Sequence, residues 1–270
     1  MPTRQQSHAI RTMALVVCAT VWIAGCGGSG APESTSAPET TGAESTSSGT
    51  VAKTAAVGGT ASIHGTVTFD GTPPKLQPLK MDADPGCMKK HDGPVMPEML
   101  ILGEGQTMAN VFVHVKSGLP EGSFPIPESP VIVDQNGCRY QPHVSGVMVG
   151  QTLRILNSDG LLHNVHGLPE INSQFNRAMP ASVTEVDMVF NKEEFMFTVK
   201  CDVHPWMNAY VAVLDHSYFA VTGKDGVFEI AGLPAGDYEI EAWHERLGSQ
   251  TLPVSLADNA AEQLDYTFAR

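Results

Sequence analysis

The sequence predicts an all-β protein made of two sandwiches in succession. Three observations carry the prediction: apolar and polar residues alternate with period 2 in many short runs, Gly, Pro, Asn and Asp punctuate the runs, and no segment after residue 60 keeps a helical period. With 270 residues, 42% of them apolar, the chain can bury one large or two small cores and is too polar for a multi-span membrane protein. A formal charge of −13 without a Lys/Arg cluster excludes a nucleic-acid partner, because phosphates require a basic face.

The first 60 residues stand apart. Arg4 and Arg11 precede the apolar run Met13 to Ile23, which is too short to span a bilayer and has the flanks of a secretory signal. Ile23-Ala24-Gly25-Cys26 resembles the lipobox of bacterial lipoproteins. That resemblance implies a signal peptide over 1–25, lipid on Cys26, and a membrane anchor at the bacterial cell envelope, on the periplasmic or outer-membrane face. Several acyl chains on one residue give lasting attachment. Residues 26–60 are rich in Ser, Thr, Gly and Pro and read as a disordered tether. Loss of Arg4 and Arg11 with the leader moves the charge from −13 to −15, which points to redox partners with a basic docking face.

The folded part then divides into 61–214 and 215–270. In the first, Ile63, Val67 and Phe69 alternate with Thr66 and Thr68, and Val111, Val113 and Val115 alternate with Phe112, His114 and Lys116. Val147, Val149, Leu153 and Ile155 share one parity, as do Phe195, Phe197, Val199 and Cys201. The connection 70–108, with Met81, Met88, Met96, Met99 and Met108, is a functional insertion or a cover over one sheet end. After Val213 the pattern restarts as a small sandwich with turns at Lys224-Asp225-Gly226 and Leu233-Pro234-Ala235-Gly236. The run Thr222 to Tyr238 resembles the carboxypeptidase-regulatory-like, transthyretin-like modules, which implies a carbohydrate-binding-like β-sandwich without catalysis and an envelope glycan or protein as its ligand.

The chemistry concentrates in two short segments. Cys201-Asp202-Val203-His204-Pro205-Trp206-Met207 offers a thiolate, an imidazole and a thioether in one tight loop, and about 35 residues upstream lie His163 and His166. Two His, one Cys and a weak Met suit a trigonal copper site, whose chemistry is redox cycling and not hydrolysis. His163 and His166 are three apart, so an extended strand sends them to opposite faces and one of them enters the site. Zinc would need a fourth donor of another type. No covalent-haem motif, Gly-x-Ser-x-Gly elbow or phosphate loop occurs, so the sequence predicts a carrier and not an enzyme.

Val149 to Asp159, His163-Asn164-Val165-His166 and Cys201 to Met207 together resemble the cupredoxins, type 1 blue copper proteins of the amicyanin and plastocyanin type, including methylamine-utilisation-like proteins. The resemblance implies a Greek-key sandwich holding one type 1 copper, with His163, Cys201, His204 and Met207 as ligands. It also implies that Asn164 steadies the ligand loops, with Pro205 and Trp206 beside the metal and electrons leaving by the His204 edge. The chain departs from that pattern in its longer 61–146 region, in Asn208-Ala209-Tyr210 after Met207, and in the second sandwich.

Cys87 and Cys138 remain. Both lie in Gly/Pro-rich turns of an exported domain, where a free thiol is a liability near copper, so they are expected to pair as a disulfide closing the long loop; the rival is a second metal site with His91 and His143. The function expected is one-electron transfer by an exported, lipid-anchored copper protein; the alternative is copper storage or a binding module without turnover.

Overall fold

The structure is a computed structural model that describes residues 58–270. The expected leader, Cys26 and the tether as far as residue 57 lie outside the described residues. The strands are Ala61–Asp70 (β1), Phe112–Ser117 (β2), Val131–Gln135 (β3), Tyr140–Gln141 (β4), Val144–Met148 (β5), Thr152–Asn157 (β6), His163–Gly167 (β7), Phe175–Met179 (β8) and Glu185–Val189 (β9). There follow Glu194–Lys200 (β10), Asn208–Leu214 (β11), Phe219–Val221 (β12), Val227–Leu233 (β13), Gly236–His244 (β14), Gly248–Leu256 (β15), Ala261–Gln263 (β16) and Tyr266–Ala269 (β17). A single helical turn, Pro85–Met88 (α1), interrupts the connection between β1 and β2.

The strands form four sheets. Their orders are β13-β1-β16 with β17 also on β1, β12-β2-β14-β15, β5-β11-β10-β7-β8, and β4-β3-β6-β9. The first two sheets enclose one core, built on Ile63, Val67, Val113, Ile230, Ile240 and Phe268. The last two enclose another, built on Val133, Leu153, Ile155, Val165, Val199 and Val211.

Strand pairing runs across the expected boundary at 214/215. β1 runs antiparallel to β13 and parallel to β16 and β17, while β2 pairs with β12 and β14. The C-terminal sandwich is therefore completed by strands from residues 61–117, and the sandwich that carries the candidate ligands is inserted between β2 and β12. The reason is physical: period 2 identifies a strand and its buried face, whereas the partner strand is fixed by long-range register.

The two sandwiches stack on a shared layer. On β2 and just before it, Val111, Val113 and Val115 enter one core, and Phe112 faces the other way into a third cluster with Val144, Ala212 and Leu214. β11 is divided in the same manner, with Ala209, Val211 and Val213 inward and Ala212 and Leu214 toward that cluster. Phe112 stacks on Phe219 with ring centroids 5.3 Å apart, and Tyr210 meets Trp243 edge-on at 5.2 Å. A Cβ on Gly146 would sit 2.4 Å from the Phe219 ring, so glycine lets β5 approach this closely. Glu245 clamps the seam, accepting hydrogen bonds from His143 Nε2 and the Tyr210 hydroxyl.

Burial of imidazoles gives this fold an acid sensitivity. His244 is 1% exposed, and burial pushes its pKa down to about 4; burial also lowers His114 and His216. A depressed folded-state value means that the unfolded chain takes up a proton first. The contribution of neutral His244 is therefore complete above pH ~6.5 and is lost as pH falls toward 4, about 3 kcal/mol in all. Urea unfolding at pH 7 and pH 4.5 checks this: His244→Gln should lose less stability on acidification than the parent, and an equal loss would contradict it.

Candidate metal centre

Strand register builds the site. β7 and β10 are antiparallel neighbours with Lys200 opposite His166, so the start of β7 and the end of β10 meet at one edge of the sandwich. His163 opens β7 and Cys201 follows β10, which brings residues 38 positions apart together. The loop after Cys201 is closed by its own backbone: Cys201 N donates to Met207 O at 3.1 Å, and Met207 N donates to His204 O at 2.9 Å. His204 at its middle thereby turns back over the cysteine.

The result is a buried trio. One ligand atom from each of His163, Cys201 and His204 lies within 4.8 Å of the others, and these residues are 0%, 2% and 2% exposed. His163 Nδ1 lies 2.9 Å from His204 Nδ1, which is 3.8 Å from the Cys201 sulfur. Met207 is buried in the same core cluster. Trp206 lies with its ring 5.1 Å from that of His204 and donates from Nε1 to Cys138 O, whereas Pro205 is exposed. Asn164 Oδ1 accepts from the Cys201 thiol and from Asp202 N, tying the end of β10 to β7. His166 is turned away and bonds Asp202 at 2.9 Å.

Two carboxylates hold the outer edges of the imidazoles. His163 Nε2 donates to Asp159 Oδ2 at 2.9 Å, and His204 Nε2 donates to Asp84 Oδ2 at 2.9 Å. Asp159 also accepts from Gly137 N, Cys138 N and Lys90 Nζ, which together outweigh the cost of its burial and hold its pKa down at about 2. A carboxylate only accepts, so each Nε2 carries a hydrogen and each Nδ1 is left to face inward. Burial alone would lower the pKa of His163, but hydrogen bonds to Asp159 and the Cys201 sulfur reverse this and raise it to about 9. Burial likewise raises the Cys201 thiol pKa, and hydrogen bonds from His163 and backbone N–H groups reverse it to a net lowering. Both shifts favour the charged forms, and a cation at this point competes with protons for the same lone pairs.

Cys87 and Cys138 form a disulfide, which leaves Cys201 as the free thiol among the described residues. The two further groupings of Cys, His and Asp both use a disulfide sulfur, so neither adds a thiolate. His91 instead bonds Gly137 O and His143 bonds Glu245; they do not form a centre with the cysteines. The donors brought together are one cysteine sulfur and two imidazole nitrogens, a set that suits copper in preference to four-coordinate structural zinc; Met207 is buried in the same core cluster as Cys201.

Three partners of the site have no signature in the sequence. Tyr140, fully buried, donates from its hydroxyl to Asn164 O at 2.6 Å and Lys200 O at 3.1 Å, bracing both ligand strands. Asp159 stands within the segment between β6 and β7, where its four-residue offset from His163 is the only cue. Asp84 comes from the aperiodic connection before β2. At the His204 edge, the expected exit for electrons, Asp84 and Cys87 cover the ring, with the Cys87 sulfur 3.5 Å from His204 Nε2.

No protein-family model matches the chain, and no curated protein does. Several solved structures are similar to part of it. A mutant of amicyanin in its Cu(I) form is 20% identical over 37% of this chain and 97% of that chain, with a TM-score of 0.29. A purple cupredoxin from Nitrosopumilus maritimus is 21% identical over 31% of this chain and 98% of that chain, with a TM-score of 0.26. The copper-containing nitrite reductase of Thermus scotoductus SA-01 is 19% identical over 36% of this chain and 25% of that chain, with a TM-score of 0.29.

Proposed function

We propose that this chain is a one-electron carrier with a single copper at His163, Cys201 and His204 and with Met207 as a weak fourth donor. The observation that carries the reading is the buried trio, with both Nε2 atoms committed to carboxylates and both Nδ1 atoms turned toward one sulfur. Bound copper would supply a couple that gains and loses one electron at a centre with one thiolate and two imidazoles. The protein's part is to hold the ligands in place in both states: Asn164 and Tyr140 fix the strand ends, Asp159 and Asp84 fix the rings, and burial excludes water. Export, lipid attachment at Cys26 and a basic redox partner complete the proposal, with the sandwich of β1, β2 and β12–β17 as its docking module for an envelope glycan or protein.

The test is voltammetry of the copper-loaded protein. A reversible one-electron wave supports the carrier; its absence in folded, loaded protein contradicts it. Met207→Leu should keep the colour and raise the potential, because loss of a donor costs the more highly charged ion more; each tenfold change in relative affinity is about 59 mV. The covered His204 edge favours a second reading, copper storage, since a sealed ligand slows exchange with a partner. Self-exchange separates the two: fast exchange supports the carrier, and tight Cu(I) binding without it supports storage.

A further inference from the structure

We propose that Asp84 is a positioning residue of the metal centre, fixing which nitrogen of His204 is free to bind and biasing the site toward the oxidised ion. The proposal rests on the copper reading for its second half and on geometry alone for its first.

Asp84 divides its two oxygens between two tasks. Oδ1 accepts from Gly86 N at 2.7 Å and Cys87 N at 3.4 Å, capping α1, with Pro85 at the first helical position. Oδ2 accepts from His204 Nε2 at 2.9 Å. The helical turn is anchored in turn by the Cys87–Cys138 disulfide, and a Cβ on Gly86 would lie 3.0 Å from the Leu161 side chain, so the strap is pressed against the segment that leads into β7. His204 is thus held from outside by residues 120 positions away, while its own loop holds it from inside.

This arrangement has two consequences. An imidazole has two tautomers, and only the one with hydrogen on Nε2 leaves the Nδ1 lone pair toward Cys201 and His163. A carboxylate on the far nitrogen selects that tautomer and makes the ring a stronger donor. Asp84 also adds a negative charge, so a dication in the site is favoured over a monocation. Asp159 does the same for His163 but is offset by Lys90 at 3.2 Å; no Lys or Arg forms an ion pair with Asp84 among the described residues.

Asp84→Asn separates positioning from structure. The asparagine oxygen still caps α1, but its amide presents hydrogens to His204 and demands the opposite tautomer. Nitrogen-15 NMR of the metal-free, full-length protein should show hydrogen on Nε2 of His204 in the parent and on Nδ1 in Asp84→Asn, while backbone amide shifts of β3, β6 and β9 stay in place. An unchanged His204 tautomer in the variant overturns the proposal. In the copper-loaded protein, Asp84→Asn should lose at least tenfold in preference for Cu(II) over Cu(I), a rise of about 59 mV or more, whereas Asp84→Glu should restore part of it. A potential within error of the parent overturns the second half. Failure of the parent to develop a thiolate-to-copper band would instead overturn the copper reading, and the metal-free NMR result would still decide the role of Asp84.

Discussion

Copper-loaded protein in which Cys201 is replaced by Ser should lose its intense visible absorption completely. The reason lies in how the site is built. Cys87 and Cys138 are bonded to each other, so Cys201 is the sole thiol among the described residues, and its sulfur faces both Nδ1 atoms. A thiolate-to-copper charge-transfer band has no other origin among the described residues. Serine is close in shape, and the Asn164 Oδ1 acceptor remains, so the fold should persist; far-ultraviolet circular dichroism serves as the control. Copper affinity should fall as well, because a hydroxyl is a harder and far less acidic donor than a thiol. Retention of the band in Cys201→Ser would move the metal elsewhere in the chain.

The second large effect concerns the disulfide. Cys87 and Cys138 are 51 residues apart in sequence and both fully buried. Closing a loop of that length restricts the unfolded chain by about 4 kcal/mol in the chain-entropy description. Replacing both cysteines with Ala should therefore lower stability by several kcal/mol in denaturant unfolding. The loss should not stay local. The bond fastens α1 to the turn between β3 and β4, and α1 carries Asp84 onto His204. Hydrogen exchange should quicken at Cys87 to His91, and copper should be lost to a chelator faster than from the parent. Parent-like stability together with parent-like copper release would show that the strap is held by packing and not by the bond.

How much of this was legible in the sequence depended on distance along the chain. The strands at 63–69 and 111–115 declare themselves because side chains two apart share a face, a local property. The run 147–155 instead divides between β5 and β6, and a register shift at Met196 leaves Phe195 exposed while Phe197 and Val199 are buried. The candidate ligands were legible for a similar reason: three of them stand within seven residues, and His163 follows a strand at a spacing that a loop of this kind requires. The assignment of β1 and β2 to the C-terminal sandwich was not, because the alternation of Ile63, Val67 and Phe69 fits either core. Nor was Asp84. The segment Asp84-Pro85-Gly86-Cys87 reads as a capped turn, which it is, but nothing in it shows that the second carboxylate oxygen reaches a histidine 120 residues later. The cover over the His204 edge comes from such long-range contacts, by Asp84 and by Cys87.

In the function proposed above, His163, Cys201 and His204 together hold a single copper. Copper K-edge X-ray absorption on the loaded full-length protein, with metal content measured on the same sample, tests it most directly. The account predicts one copper per chain, with one short sulfur and two imidazole nitrogens around it. A copper shell of oxygen and nitrogen without short sulfur, or a second equivalent bound as tightly, would contradict it.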